Sequence, residues 1–488
     1  MLENSVGGTW IGLDAGTTGV TAVLFDADMR PLARSSAEFP QHFPQPGWVE
    51  HDAAEILAAV DSTLAEVRRA PGADRLAGIG ITNQRETVFA VDAKTGTALA
   101  RGIVWQDRRT SERCRGLGPE VERIRAVTGL PVDPYFSGTK IEWLLAQVPG
   151  LRSRAQQGGV RFLTVDALLI HHLTGGGVVA TDPTNASRTM LFDIEARAWD
   201  SKLCALFGIK PEWLPEVRPS AGAFGSFEGV PICGVAGDQQ AALFGQGAWH
   251  PGSAKCTFGT GTFLLVNSGK VRPRVPDGLL TTLAVGPQGE PVFAIEGSVF
   301  MGGAVVQWLR DQMGFIESAE MSEAVASSVS DTGGVHLVPA FTGLGAPHWD
   351  ADARAAILGM TRGTGRAEIV RAGLEAIAFQ NAELVELLRR ESGLELQRLL
   401  VDGGAASNNL LMQMQADLAG LVVERPPSVE ATARGAAALA ALGQGAWKAD
   451  EPPAGLVEKG TSFEPELAAP ERGARLAGWR RAVERVRS

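Results

Sequence analysis

Residues 9–25, TWIGLDAGTTGVTAVLF, read as a strand, a tight Gly/Thr turn and a second strand. The apolar run at 10–14 ends on Asp14, GTTG fills 16–19, and 20–25 is apolar again before Asp26 opens the turn-like DADMR. Short apolar runs bounded by turn residues are the signature of buried strands, and Gly in the turn allows a hairpin. The layout returns at 255–267, KCTFGTGTFLLVN, where GTGT (259–262) separates two strand-like runs.

Outward from the first hairpin, a third strand is expected around 32–39. Asp52 then caps an amphipathic helix with Ile56, Leu57, Val60, Leu64 and Val67 at helical spacing. A strand at 76–82 delivers NQRET (83–87), and another at 102–106 delivers WQDRR (105–109). Beyond the second hairpin, 279–285 and 292–296 are β-rich, 367–390 is a long amphipathic helix, and 399–402 is a strand running into DGGAASNN (402–409), which opens another helix. Each half therefore starts with strand, turn, strand and continues as mixed α/β. This predicts a duplicated α/β domain with its boundary near 245–252, giving domains 1–248 and 249–488.

With 488 residues, 45% of them hydrophobic and 20% charged, the chain can bury large cores and is not intrinsically disordered. A net charge of −10 with scattered basic residues argues against nucleic acid as a partner. Cys114, Cys204, Cys233 and Cys256 stand far apart with no CxxC, which excludes a disulfide scaffold or zinc ribbon and fits a cytoplasmic setting. MLENSVGGTW carries no signal-peptide pattern, and no apolar run reaches the ~20 residues of a membrane span, so an integral membrane protein is not expected. One feature stands out: there is a single tyrosine, Tyr135.

No G-x-x-x-x-G-K-[ST] occurs, and no G-x-G-x-x-G opens a helix, so P-loop and dinucleotide-binding readings are disfavoured. Glycine lets backbone N–H groups approach phosphate oxygens closely, and threonine adds a hydroxyl donor. Either turn alone is an ordinary hairpin. Two of them, one per half, together with DGG before a helix, point to a nucleotide held in a cleft between the halves. Asp14 beside the first turn suits a Mg²⁺ partner or a hairpin cap. Asp238, ending the apolar run 230–236, suits a general base or a helix N-cap. Arg85 and Glu86 read as hydroxyl ligands or as a solvated strand end, Trp105 as a substrate platform or a core ring, and Tyr135 as a ligand or a packed phenol with its OH in water. Together Arg85, Glu86, Trp105, Tyr135 and Asp238 are the parts needed for a small polyol.

These residues lie in longer stretches: PGWVEHD (46–52), GITNQRET (80–87), DPYFSGTK (133–140), TDPTNASRTMLFDI (181–194), AGDQQAALFGQ (236–246), EGSVFMGGAVVQWLRD (296–311) and FTGLGAPHWDADARAAILGMTRG (341–363). They resemble the glycerol kinases of the FGGY carbohydrate kinase family over residues 9–485. The resemblance implies two actin-like ATPase domains of the ribonuclease H-like α/β fold, with nucleotide and substrate in the cleft between them. It implies that Arg85, Glu86 and Tyr135 bond the glycerol hydroxyls, that Trp105 and Phe263 cover its carbons, and that Asp238 is the general base with Gln239 beside it. Thr17, Thr18, Gly19 and Thr260 are implied at the phosphates, and Gly303, Gln307, Gly404 and Asn408 at the adenine nucleotide. Asp14 is implied to organise Mg²⁺. The implied activity is ATP-dependent conversion of glycerol to sn-glycerol 3-phosphate, the first step of glycerol catabolism, by a cytoplasmic homodimer or homotetramer.

Two departures accompany the resemblance. Thr21 stands where such kinases usually carry Arg, and Ala15 where Gln is common. Between Phe224 and Gly234 the chain has only GSFEGVPIC, with no Arg and no His, so neither bisphosphate inhibition nor histidine phosphorylation is expected there. The competing readings are a kinase for another small polyol or ketose (dihydroxyacetone, erythritol), a low-activity nucleotide-binding regulator, and an actin-like filament protein.

Overall fold

The computed structural model describes residues 7–487 except 276, 351, 428 and 429. The first six residues, on which the signal-peptide expectation partly rests, lie outside the described residues. Among the described residues two central sheets carry the architecture. The first runs Ser226–Phe227, Val230–Gly237, Leu76–Asn83, Thr9–Ala15, Gly19–Phe25, Pro31–Glu38. The second runs Leu280–Val285, Pro291–Val299, Thr262–Gly269, Ala254–Phe258, Arg398–Asp402, Val422–Arg425, Thr461–Phe463.

The duplication inferred from the hairpins is visible in the pairing. In the first sheet, Thr9–Ala15 pairs antiparallel with Gly19–Phe25, which pairs antiparallel with Pro31–Glu38. On its other side Thr9–Ala15 pairs parallel with Leu76–Asn83, and that strand parallel with Val230–Gly237. The second sheet repeats this order and polarity with Ala254–Phe258, Thr262–Gly269, Pro291–Val299, Arg398–Asp402 and Val422–Arg425. The central strands are buried along nearly their whole length, which is why they read as continuous apolar runs rather than alternating ones.

The halves are interlocked. Gly12, Gly80 and Gly234 stand side by side in three adjacent strands of the first sheet. A Cβ there would lie 1.9 Å from the Ala433 carbonyl oxygen, 1.8 Å from that of Ala436 and 2.4 Å from the Ala440 amide nitrogen. The three glycines thus open a groove, and the alanine-rich helix Ala431–Gly443, from the second half of the chain, lies in it. Of the 59 glycines in the chain, these three serve close approach rather than turn geometry.

Two expectations shift in detail. The strand anticipated at 102–106 is only Gly102–Ile103, in a small sheet with Glu50–His51, Val88–Asp92 and Val160–Thr164. The chain leaves the sheet at Val104, whose amide bonds the Val49 carbonyl, and this swings Trp105 out of the sheet. The long helix runs Arg366–Glu391, one residue longer at each end than expected. The short 224–234 segment is a two-residue hairpin in which Phe227 pairs with Val230, with Glu228 and Gly229 both at positive φ. That is the geometry a right-twisted two-residue hairpin requires.

Candidate active site

Both Gly/Thr hairpins face one cleft. A cavity of about 200 Å³ is lined by Thr17, Thr18, Arg85, Glu86, Trp105, Tyr135, Asp238, Gln239, Thr260 and Phe263, with Gln84, Thr257, Gly259 and Gly261. A second cavity of about 560 Å³ contains Gly303, Gln307, Gly404 and Asn408. Gly259 and Thr260 line both, so the second hairpin is the wall they share. Its carbonyls accept from the start of the helix Gly303–Asp311: Gly303 N–H to Gly259 at 2.8 Å and Gly302 N–H to Thr260 at 2.8 Å. Gly403 (φ +87°), where a Cβ would lie 2.6 Å from the Phe258 carbonyl oxygen, lets the DGG turn close against the same hairpin.

The small cavity is a charged interior with aromatic walls. Arg85 and Glu86 are each 2% exposed, so neither is a solvated strand end. The Tyr135 hydroxyl accepts from Arg85 Nη2 at 3.2 Å and is not in water. Trp105 donates through Nε1 to the Thr17 hydroxyl at 2.9 Å, tying the ring to the first hairpin. Its ring meets Tyr135 and Phe263 edge to face, with centroids 5.6 and 6.1 Å away.

Asp238 is the first residue of the helix Asp238–Gly245, not its N-cap, which is Gly237. One oxygen accepts from the Gln239 amide at 2.7 Å and lies 3.3 Å from Arg85 Nε. Burial raises its pKa and Arg85 opposes the rise. Its side chain is still 28% exposed toward the cleft, so solvent tempers both effects. Gln239 accepts from the fully buried Lys255, whose ammonium also bonds the Thr257 hydroxyl at 2.7 Å.

Asp14 and Gly19 line neither cavity. Gly19 fits against the neighbouring strand, where a Cβ would meet the Ala37 carbonyl oxygen at 2.8 Å. Asp14 does not cap its hairpin: Oδ1 is buried with no hydrogen-bond partner among the described residues, and the turn is closed by Gly16 N–H to the Gly19 carbonyl at 3.0 Å. Its pKa is raised well above normal, first by burial and then by Asp238, Glu430 and Asp402. Thr21 is the cross-strand partner of Asp14, and its hydroxyl lies 3.1 Å from that of Ser36.

The structure adds residues with no separate signal in the sequence. Glu296, fully buried on the second sheet, grips Arg85 and also accepts from Arg188 Nη2 at 2.8 Å. Arg188 Nε in turn donates to Glu86 at 2.7 Å. Arg85, Glu296, Arg188 and Glu86 thus close a ring of alternating charge across the cleft, with Arg85 Nε and Glu86 3.5 Å apart. Burial alone would raise the Glu296 carboxyl, but Arg188 and Arg85 outweigh it and hold it down at about 2. Both residues lie in quoted motifs, TDPTNASRTM and EGSVFMGG, and that membership is the only advance hint of them.

The FGGY carbohydrate kinase family models match in order, the N-terminal domain over residues 9–245 and the C-terminal domain over 254–443. The chain belongs to the FGGY family of carbohydrate kinases. Curated relatives of this FGGY kinase include "Glycerol kinase" from Symbiobacterium thermophilum, 51% identical over 492 residues and covering 98% of each chain. "Glycerol kinase" from Aromatoleum aromaticum is 52% identical over 487 residues, again 98% of each. Among solved structures, Plasmodium falciparum glycerol kinase with ADP superposes with a TM-score of 0.90 at 35% identity, covering 98% of both chains. The two-domain FGGY kinase fold, of the actin-like ATPase type, is therefore the fold of this chain.

Proposed function

We propose that this FGGY kinase transfers the γ-phosphoryl group of ATP to a terminal hydroxyl of glycerol, giving sn-glycerol 3-phosphate and ADP. The observation that carries the reading is the convergence of Arg85, Glu86, Trp105, Tyr135, Asp238 and Phe263 on one cavity of about 200 Å³ beside the two Gly/Thr hairpins. The names of the relatives at about half identity point the same way.

In this reading Arg85, Glu86 and the Tyr135 hydroxyl hold the polyol hydroxyls, and the Trp105 and Phe263 rings cover its carbons. Asp238 accepts the proton of the attacking hydroxyl as its oxygen bonds to phosphorus and the bridge to the β-phosphate breaks. Burial makes Asp238 a stronger base, while Arg85 keeps it ionised. Thr17, Thr18 and Thr260 face the phosphates, and Gly303, Gln307, Gly404 and Asn408 receive the adenine nucleotide. The enclosed cleft positions both substrates and keeps water from competing with glycerol.

Asp14 fits Mg²⁺: a buried carboxylate oxygen without a donor, among Asp238, Glu430 and Asp402, is relieved by a cation. Among the described residues no group of three or more His, Cys, Asp or Glu forms a metal cage, so nucleotide phosphates and waters would complete the shell. Bound there, Mg²⁺ neutralises phosphate charge.

Glycerol, dihydroxyacetone and erythritol compared by kcat/KM in a coupled ADP-release assay test the assignment. A clear preference for glycerol is expected. Preference for the four-carbon polyol or the ketose overturns the substrate, and no turnover with any of them favours the regulator. The expected cytoplasmic homodimer or homotetramer rests on the resemblance, and light scattering of the purified protein tests the assembly. No helix among the described residues is long and apolar enough to cross a membrane.

A further inference from the structure

The stretch DPYFSGTK (133–140) contributes Tyr135 to the cavity, but its last residue does something else. Lys140 lies on the first turn of the helix Ser137–Gln147 and is fully buried. Its Nζ donates to the Tyr135 carbonyl at 2.7 Å and to the Glu86 carbonyl at 3.3 Å. The Ser137 hydroxyl donates to the same Glu86 carbonyl at 3.0 Å. Glu86 and Tyr135 are distant in sequence and come from different elements, yet both present side chains to the substrate cavity. One amine therefore ties together the backbones of two cavity residues, and one serine adds a second tie to Glu86.

The surroundings fit a brace rather than an ion pair. Among the described residues no carboxylate is bonded to Nζ, and the two partners found there are neutral carbonyls. Two carbonyl acceptors match the two N–H donors of an uncharged amine, and burial lowers the Lys140 ammonium to about 7, opposed by Glu86 and Asp107. The rest of the stretch is pinned as well. Asp133 accepts the Tyr135 amide at 2.8 Å and Arg108 at 2.8 Å, Thr139 bonds Thr110 at 2.9 Å, and the Gly138 amide bonds the Thr189 carbonyl at 2.8 Å. That last bond joins the helix start to the residue after Arg188, so Lys140 sits in a stretch tied to the Glu86, Tyr135 and Arg188 side of the polyol cavity.

We propose that Lys140, assisted by Ser137, is a positioning residue for the polyol: it fixes the spacing of Glu86 and Tyr135 by holding their carbonyls, without touching the substrate. The inference rests on the assignment of the small cavity to glycerol. It assigns the motif's lysine to polyol binding and not to the phosphates, because its amine holds the backbones of Glu86 and Tyr135 and none of the Gly/Thr turn residues.

The test compares wild type with Lys140→Met, which keeps the stem and removes the donors, and with Ser137→Ala. Melting temperature and steady-state constants are measured for each. Wild-type turnover of glycerol comes first, because its absence would fail the substrate assignment and not this one. Given that turnover, Lys140→Met is expected to raise the glycerol KM more than 10-fold while the ATP KM stays within two-fold. Ser137→Ala is expected to raise the glycerol KM about three-fold with the same ATP silence. A lowered melting temperature with unchanged glycerol KM in the folded variants overturns the proposal, because a merely structural lysine would behave that way. Equal rises in both KM values also overturn it. If Lys140→Met does not fold, Ser137→Ala decides alone.

Discussion

Arg85 and Glu296 meet across the cleft in a two-pronged ion pair, Nη1 to Oε2 at 2.6 Å and Nη2 to Oε1 at 3.0 Å. Arg85 follows a strand of the first sheet and Glu296 lies on a strand of the second, so the second domain fixes a substrate-facing residue of the first. Removing one partner of a buried pair leaves an uncompensated charge and costs about 3–5 kcal/mol. Glu296→Gln is expected to lose stability of that order in urea unfolding and to raise the glycerol KM. An unchanged unfolding midpoint would contradict the role given to the pair.

The same pair sets a pH dependence. Glu296 titrates at about 2 in the folded chain against an ordinary 4.5. A depressed carboxyl contributes its stability fully above the unfolded value and loses it as pH falls toward the folded one. The melting temperature of the wild type should therefore drop between pH 4.5 and 2 more steeply than that of Glu296→Gln. Parallel curves would show that the carboxylate contributes no proton linkage.

Tyr135→Phe removes a hydroxyl that accepts from Arg85 and faces the cavity. A net hydrogen bond is worth about 1 kcal/mol, so the glycerol KM should rise about five-fold with kcat little changed. A fall in kcat at constant KM would move Tyr135 from ground-state binding to the transition state. Tyrosine-specific reagents are a poor substitute for this measurement, because the ring is only 2% exposed without any substrate.

The glycine groove under Ala431–Gly443 makes a paired prediction. Gly80→Ala would place Cβ 1.8 Å from a backbone oxygen that no side-chain rotation relieves, and is expected to cost about 3 kcal/mol or more. Gly473→Ala, in the helix Ala469–Glu484 with nothing within 4 Å of its Cβ, should stabilise by about 0.5–1 kcal/mol. Denaturation midpoints shifting in the same direction would refute the packing argument.

The contrast between those glycines also shows what the sequence could reveal. The two hairpins were legible because a Gly/Thr turn between apolar runs is a local signal, and the residues beside those turns and strand ends converge on one cleft. Glu296 closes an alternating β-rich run and looks like any strand residue, because its partners Arg85 and Arg188 are separated from it by 211 and 108 positions. Lys140 carries no signal beyond its place in DPYFSGTK until the fold sets two carbonyls against its amine. The strand anticipated over 102–106 ends at Ile103, and Trp105 beyond it bonds Thr17, a contact 88 positions away that no local signal announces. The groove for Ala431–Gly443 is invisible for the same reason: three strands and a distant helix define it jointly.

The central claim is that Asp238 takes the proton as phosphoryl passes from ATP to glycerol. The most direct measurement is formation of glycerol 3-phosphate and ADP by wild type and Asp238→Asn, with ADP affinity measured in parallel. The account predicts equimolar products from wild type, and from Asp238→Asn a turnover lower by about 10²–10⁴-fold with ADP affinity retained. Near-normal turnover in Asp238→Asn would contradict it.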